Sequence, residues 1–133
     1  MKKWIITSLF ILLTITILIV INISGEKPLK DLKVKDIEKV EVFLQPPNIK
    51  KEVTDKEQIQ KLVETLNRIV IYKKNNSWGN YNGQFVQYTI TKKNGEIIKL
   101  GDYNPYIVLN GVGYKAKYQP CEEVNALANK IIE

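Results

Sequence analysis

Few residues in this chain have the types and spacing that catalysis needs. Histidine is absent. That excludes Ser-His-Asp and Cys-His nucleophile systems and every His-containing metal site. What remains is carboxylates. Glu122 and Glu123 are adjacent at an expected helix start, where they point in different directions and suit the helix dipole. Asp55 and Glu57 fall in another expected helix start. Asp102 lies near a tyrosine-flanked turn with no evident partner. Glycosidase-type chemistry needs two carboxyls facing each other across a cleft, and no spacing here supplies them. Gly111-Val112-Gly113 looks like a fragment of a phosphate loop, but it has neither the lysine nor the strand-to-helix setting. The expectation is a protein that is not an enzyme, with no metal and no cofactor. The single Cys121 has no internal disulfide partner, so the fold must hold by its core.

Binding chemistry has better candidates. Residues 75–83, Asn-Asn-Ser-Trp-Gly-Asn-Tyr-Asn-Gly, are turn-formers around two large aromatics. Trp78 and Tyr81 offer flat faces flanked by amides, suited to a sugar ring or a protein partner. The competing reading is a long hairpin loop whose Trp78 folds back over the edge of the core. Tyr103 and Tyr106 bracket Asn104-Pro105, and Tyr114 and Tyr118 lie on or after the last expected strand. Tyrosines on one sheet face form a binding platform or serve as half-buried strand residues. Trp78, Tyr81, Tyr103 and Tyr106 are therefore the candidate ligand or partner contacts.

The elements that would position them follow from periodicity. Val40, Val42 and Leu44 alternate with Glu41 and Phe43, as a strand does, and Pro46-Pro47 ends that strand. Residues 49–53 are a short extended piece. Thr54-Asp55-Lys56-Glu57 fits a capping box, and Ile59, Leu62, Val63, Leu66 and Ile69 then fall on one helix face. Residues 70–74, 84–92, 96–103, 106–109 and 112–117 read as strands. Asn94-Gly95 and Asn110-Gly111 supply the positive-φ pairs of type I′ hairpins. Pro120 suits the first turn of a last helix striped by Val124, Leu127, Ala128 and Ile131. The expected fold is α+β: an antiparallel meander of about five strands with two amphipathic helices on one face.

Residues 1–25 have a different composition. After Lys2 and Lys3, the 18 residues 4–21 contain nothing more polar than Ser and Thr, close to the length that spans a bilayer. Trp4, Phe10, Leu13, Ile17 and Ile21 would face lipid. The stretch exceeds the apolar part of a secretory signal and ends in a poor cleavage site, Ile23-Ser24-Gly25. We read it as a retained anchor, the alternative being a cleaved signal and a secreted protein. Lys2 and Lys3 favour a cytoplasmic start, whereas Lys27, Lys30, Lys33 and Lys35 past the other end oppose it. The very short N-terminal flank decides for an extracytoplasmic domain. Residues 26–35 read as a tether and 36–133 as one domain. Beyond Gly25 there are 18 basic and 14 acidic residues, a net +4, which suits anionic surfaces mildly. With one arginine, Arg68, and no recognition motif, nucleic acid is not an expected partner.

Several stretches together resemble a small uncharacterised extracytoplasmic domain of Gram-positive bacteria, also found C-terminal to membrane metallopeptidases of the beta-lactam-sensor type. They are Asp36-Ile37 and Val40-Glu41-Val42 running to Pro46-Pro47, Ile71-Tyr72-Lys73-Lys74, and Tyr88-Thr89-Ile90-Thr91 before Asn94-Gly95. Residues 106–115 and Pro120-Cys121-Glu122 complete the likeness, which covers most of 32–133. The zinc motif of such peptidases needs histidine, so proteolysis does not transfer. The resemblance implies an accessory or sensing module. The alternative is an envelope inhibitor or immunity-type protein that blocks a partner.

Overall fold

The computed structural model describes every residue except Tyr81, and of Ile21 and Asn22 only the backbone. An apolar helix, α1 (Lys2–Ser24), is followed by seven strands and two further helices. The strands are β1 (Ile37–Gln45), β2 (Ile49–Val53), β3 (Ile71–Lys74), β4 (Phe85–Lys92), β5 (Ile97–Tyr103), β6 (Tyr106–Leu109) and β7 (Val112–Ala116). They form one antiparallel sheet in the order β2-β1-β4-β5-β6-β7-β3. The fold is α+β as expected, but the sheet has seven strands rather than about five. Both edges are short strands: β2, expected only as an extended piece, and β3, expected as a strand but not in this place. Residues 49–53 pair with β1, and β3 leaves its sequence neighbours to pair with β7.

Alternation along the strands sends one set of side chains inward. Val40, Val42 and Leu44 from β1, Val86, Tyr88 and Ile90 from β4, and Ile98 and Leu100 from β5 are buried. The other two helices, α2 (Lys56–Asn67) and α3 (Tyr118–Ile132), add Leu62, Val63, Leu66, Val124, Ala128 and Ile131 to the same core. The Tyr88 hydroxyl satisfies itself there by donating to the Val124 carbonyl at 3.1 Å. Cys121 is buried and unpaired.

Local differences have local causes. The N-cap of α2 is Asp55, not Thr54: its carboxylate accepts from the Gln58 amide at 3.0 Å. Capping by a carboxylate one residue later does the same work. In α3 the helix begins at Tyr118, so Pro120 still lies in the first turn but Glu122 and Glu123 do not. Glu123 instead pairs with Arg68, just past α2, at 2.6 Å. At Asn110-Gly111 both residues take positive φ, 48° and 86°, as a type I′ turn requires. At the other hairpin Gly95 alone does, because that loop is longer, and Asn94 instead accepts from the Glu96 amide.

The stretch 26–35 is not a free tether. Leu29 and Leu32 join the core. The Asn67 side-chain amide donates to both their carbonyls, at 2.6 and 3.1 Å. Glu26 exchanges two backbone hydrogen bonds of 2.8 Å with Ile71. Gly25, at φ 72°, sits so close to Val70, Tyr72 and the Ile71 carbonyl that no side chain fits. The end of α1 is thus fastened to the start of β3.

A candidate cleft at the end of the sheet that receives the apolar helix

Strand registers bring several segments to one end of the sheet. Tyr103 pairs with Tyr106, Tyr106 with Lys115, Ala116 with Ile71, and Val86 with Asp102. The end where β4 begins and β5 and β7 finish therefore also holds the start of β3, the first turn of α3 and the exit of α1. A cleft of about 380 Å³ opens there, lined by Asn82, Gly83, Gln84, Tyr103, Asn104, Tyr118, Glu122 and Asn125. Other hollows run along α1 beside Trp4, Ile11 and Ile15. They are grooves on the bare surface of a single helix.

The cleft wall is ordered by amides. The Gln84 side chain donates to the Pro46 carbonyl and to Asn129 Oδ1, both at 3.1 Å, and accepts from Asn129 Nδ2 at 2.8 Å. Asn125 Nδ2 donates to Gln84 Oε1 at 3.4 Å, and Asn129 Nδ2 donates back to the Asn125 carbonyl at 2.9 Å. This clamp joins the β1–β2 turn, the start of β4 and α3. A primary amide carries two N–H groups and two lone pairs; Gln84 uses all four within the clamp, whereas Asn125, which also accepts from Asn129 Nδ2 at 3.1 Å, keeps one N–H group and one lone pair for the cleft.

Behind the cleft lie polar atoms without partners. Asp102 follows Ile98 and Leu100 on the inward face of β5 and is fully buried, yet neither carboxylate oxygen has a hydrogen-bond partner. Asn104 Oδ1 is also buried and unpartnered. Burial pushes the Asp102 carboxyl up to about 8; the nearby Asn104 amide opposes this but falls short of bonding geometry. At neutral pH Asp102 is therefore mainly a neutral acid. The Tyr88 hydroxyl and Cys121 thiol are pushed up as well, first by burial and then by the proximity of Asp102.

The four expected contact residues divide. Tyr81 lies outside the described residues. Trp78 is half-buried on the outer sheet face, 6.3 Å from the Phe85 ring and 6.0 Å from the Tyr103 ring, and Phe85 stacks on Tyr103 at 4.8 Å. The outward positions Gly101, Val108 and Gly113 lie in register beneath them. A β-carbon on Gly101 would come within 2.6 Å of the Phe85 ring, and one on Gly113 would strike Trp78 and the Asn75 carbonyl. Two missing side chains thus make the seat for the aromatic cluster, and Trp78 folds back over the sheet. Tyr103 does both jobs: it stacks in the cluster and lines the cleft. Tyr106 is buried, at 8% exposure, and does not line it.

Gln84, Asn125, Asn129 and Glu122 were not foreseen as site residues, and Tyr118 entered only among the tyrosines of a binding platform. The signal open to a reader of the sequence was weak: two asparagines four apart, beside the apolar stripe of α3.

The cleft presents amide donors and acceptors, two phenol rings and one carboxylate. Such a set hydrogen-bonds hydroxyl and amide groups of a neutral polar ligand. Among the described residues, no three acidic or cysteine side chains converge as a metal site would require. No protein-family model, no curated protein and no solved structure matches this chain.

Proposed function

We propose that this protein is a membrane-anchored extracytoplasmic binding module without catalytic activity. Its ligand seats in the cleft between the start of β4, the β5–β6 turn and α3. The observation that supports this best is the clamped amide wall. Gln84, Asn125 and Asn129 hold one another in a fixed arrangement before any ligand arrives, which lowers the ordering cost of binding. The ligand class that suits this wall is a hydroxyl- and acetamido-bearing envelope glycan: the amides meet its polar edges and Tyr103 and Tyr118 its flat faces. The anchor reading is supported by the length and bareness of α1, whose apolar window Lys2–Val20 is wholly unburied with a mean hydropathy of 2.3. The likeness to an accessory domain of membrane peptidases agrees with a sensing role.

The test is calorimetric titration of full-length protein in detergent with soluble peptidoglycan fragments. Saturable binding is expected, weakened at least tenfold by Asn125→Ala and by Tyr118→Ala. Peptidoglycan fragments that fail to bind, while one envelope protein forms a tight complex insensitive to both substitutions, would move the reading to a blocking or immunity-type protein.

A further inference from the structure

A second hollow, of about 210 Å³, lies at the same end of the domain, lined by Lys27, Arg68, Val70, Lys117, Gln119 and Pro120. Three of its six lining residues are cations. Their convergence is built by the fold. Lys27 follows Glu26, which is pinned to Ile71 by two hydrogen bonds of 2.8 Å, and the Lys117 amide donates to the Val70 carbonyl at 2.9 Å. Consecutive residues at the start of β3 therefore hold both lysines, from segments 90 positions apart in the chain. Arg68 arrives from the end of α2, steadied by Glu123, and its five-donor fork keeps N–H groups beyond that pair. Among the described residues, neither Lys27 nor Lys117 has a carboxylate within ion-pair distance.

The position in depth identifies the anion. Lys27 lies four residues past Ile23, the last apolar residue of α1. Four residues span at most about 14 Å, and a lysine side chain reaches back toward the interface. The hollow is thus at headgroup level when α1 spans the bilayer. We propose that Lys27, Arg68 and Lys117 form a binding site for the phosphate of an anionic phospholipid headgroup in the leaflet from which the domain emerges. Phosphate oxygens accept from the guanidinium fork and both ammonium groups, while Val70 and Pro120 supply an apolar wall. The site orients the domain on the membrane and sets the neighbouring cleft close to the surface.

This inference rests on the anchor reading but not on the glycan reading, and the experiment separates the two layers. Full-length protein is reconstituted into nanodiscs of phosphatidylcholine alone or with added phosphatidylglycerol. Lysine reactivity toward an amine-directed label is then mapped by mass spectrometry. Phosphatidylglycerol is expected to protect Lys27 and Lys117 and to leave Lys50 and Lys93, at the far side and far end of the sheet, unchanged. Retention of phosphatidylglycerol through purification should fall about fivefold for each of Lys27→Gln and Lys117→Gln. Equal labelling in both discs overturns the lipid site. Protection by inorganic phosphate in lipid-free detergent, equal to that by phosphatidylglycerol, replaces it with a free-anion site. A chain that does not enter the discs overturns the anchor and this site together, leaving the cleft to its own test.

Discussion

Asp102 occupies an inward position on β5 that Ile98 and Leu100 lead one to expect would be aliphatic, and the consequence is a pH dependence. Its carboxyl sits at about 8 in the fold against about 3.8 when free. Between those values the folded chain holds a proton that the unfolded chain has lost, so stability falls as pH rises from about 4 to about 8 and stays at its lower level above that. The slope is at most about 1.4 kcal/mol per pH unit. The facing titratable groups are Tyr88 from β4 and Cys121 from α3; both are pushed up and remain neutral across the range. Ile107, opposite on β6, carries no charge. Thermal unfolding of the full-length protein in detergent, followed from pH 5 to pH 9, should show this decline. Asp102→Asn should flatten it while leaving the fold intact, since the amide is nearly isosteric with the neutral acid. A decline of equal slope in the variant would assign the effect to other groups.

The loop between β3 and β4 is held as much by what the sheet lacks as by what the loop contains. Gly113→Ala puts a methyl where Trp78 and the Asn75 carbonyl already are, and overpacking of this kind costs about 1–3 kcal/mol. The expected result is a lower Tm together with a red-shifted Trp78 emission, read in a Trp4→Phe background so that one indole reports. The segment 26–35 makes the complementary case. Leu32→Ala removes a buried side chain from the core and should cost about 2–5 kcal/mol in chemical unfolding, as a core position does and a tether position does not. These two places mark where the sequence was and was not legible. Alternation announced the inward faces of β1 and β4, and Asn110-Gly111 announced its own turn, because each depends on neighbours in the chain. Leu29 and Leu32 were hidden among lysines, since only contact with Asn67 and the core makes them structural. Strand β3 was visible, but its place beside β7 was not: a four-residue strand states its faces and never its partner. Tyr103 was named as a candidate contact because a tyrosine-flanked turn is a local signal, and it lines the cleft. Gln84 and Asn125 were not, because an amide wall exists only once the β1–β2 turn, β4 and α3 have met.

At the scale of the molecule, the registers place the cleft and the basic hollow at one end and bare turns at the other. The end that receives α1 holds the cleft, the basic hollow and the first turn of α3. The opposite end holds the loop around Asn94 and Gly95 and the Asn110–Gly111 turn. Seven residues of β5 separate the two ends, about 23 Å at strand rise. If the domain stands on its anchor as proposed, Asn104 lies near the lipid surface and Asn94 lies well clear of it. Cys121 is fully buried, so a single introduced cysteine reports on its own position. Reconstituted in liposomes with the domain outward, Asn94→Cys should react with a bulky maleimide several-fold faster than Asn104→Cys. Detergent should narrow the difference by raising only the Asn104→Cys rate. Equal rates in liposomes would mean that the domain tilts or stands away from the membrane, and the cleft would then be as open to soluble ligands as to those at the surface. The expected asymmetry instead restricts ligands to those that reach the cleft along the bilayer, which fits a polymer or partner held at the envelope surface better than a freely diffusing solute.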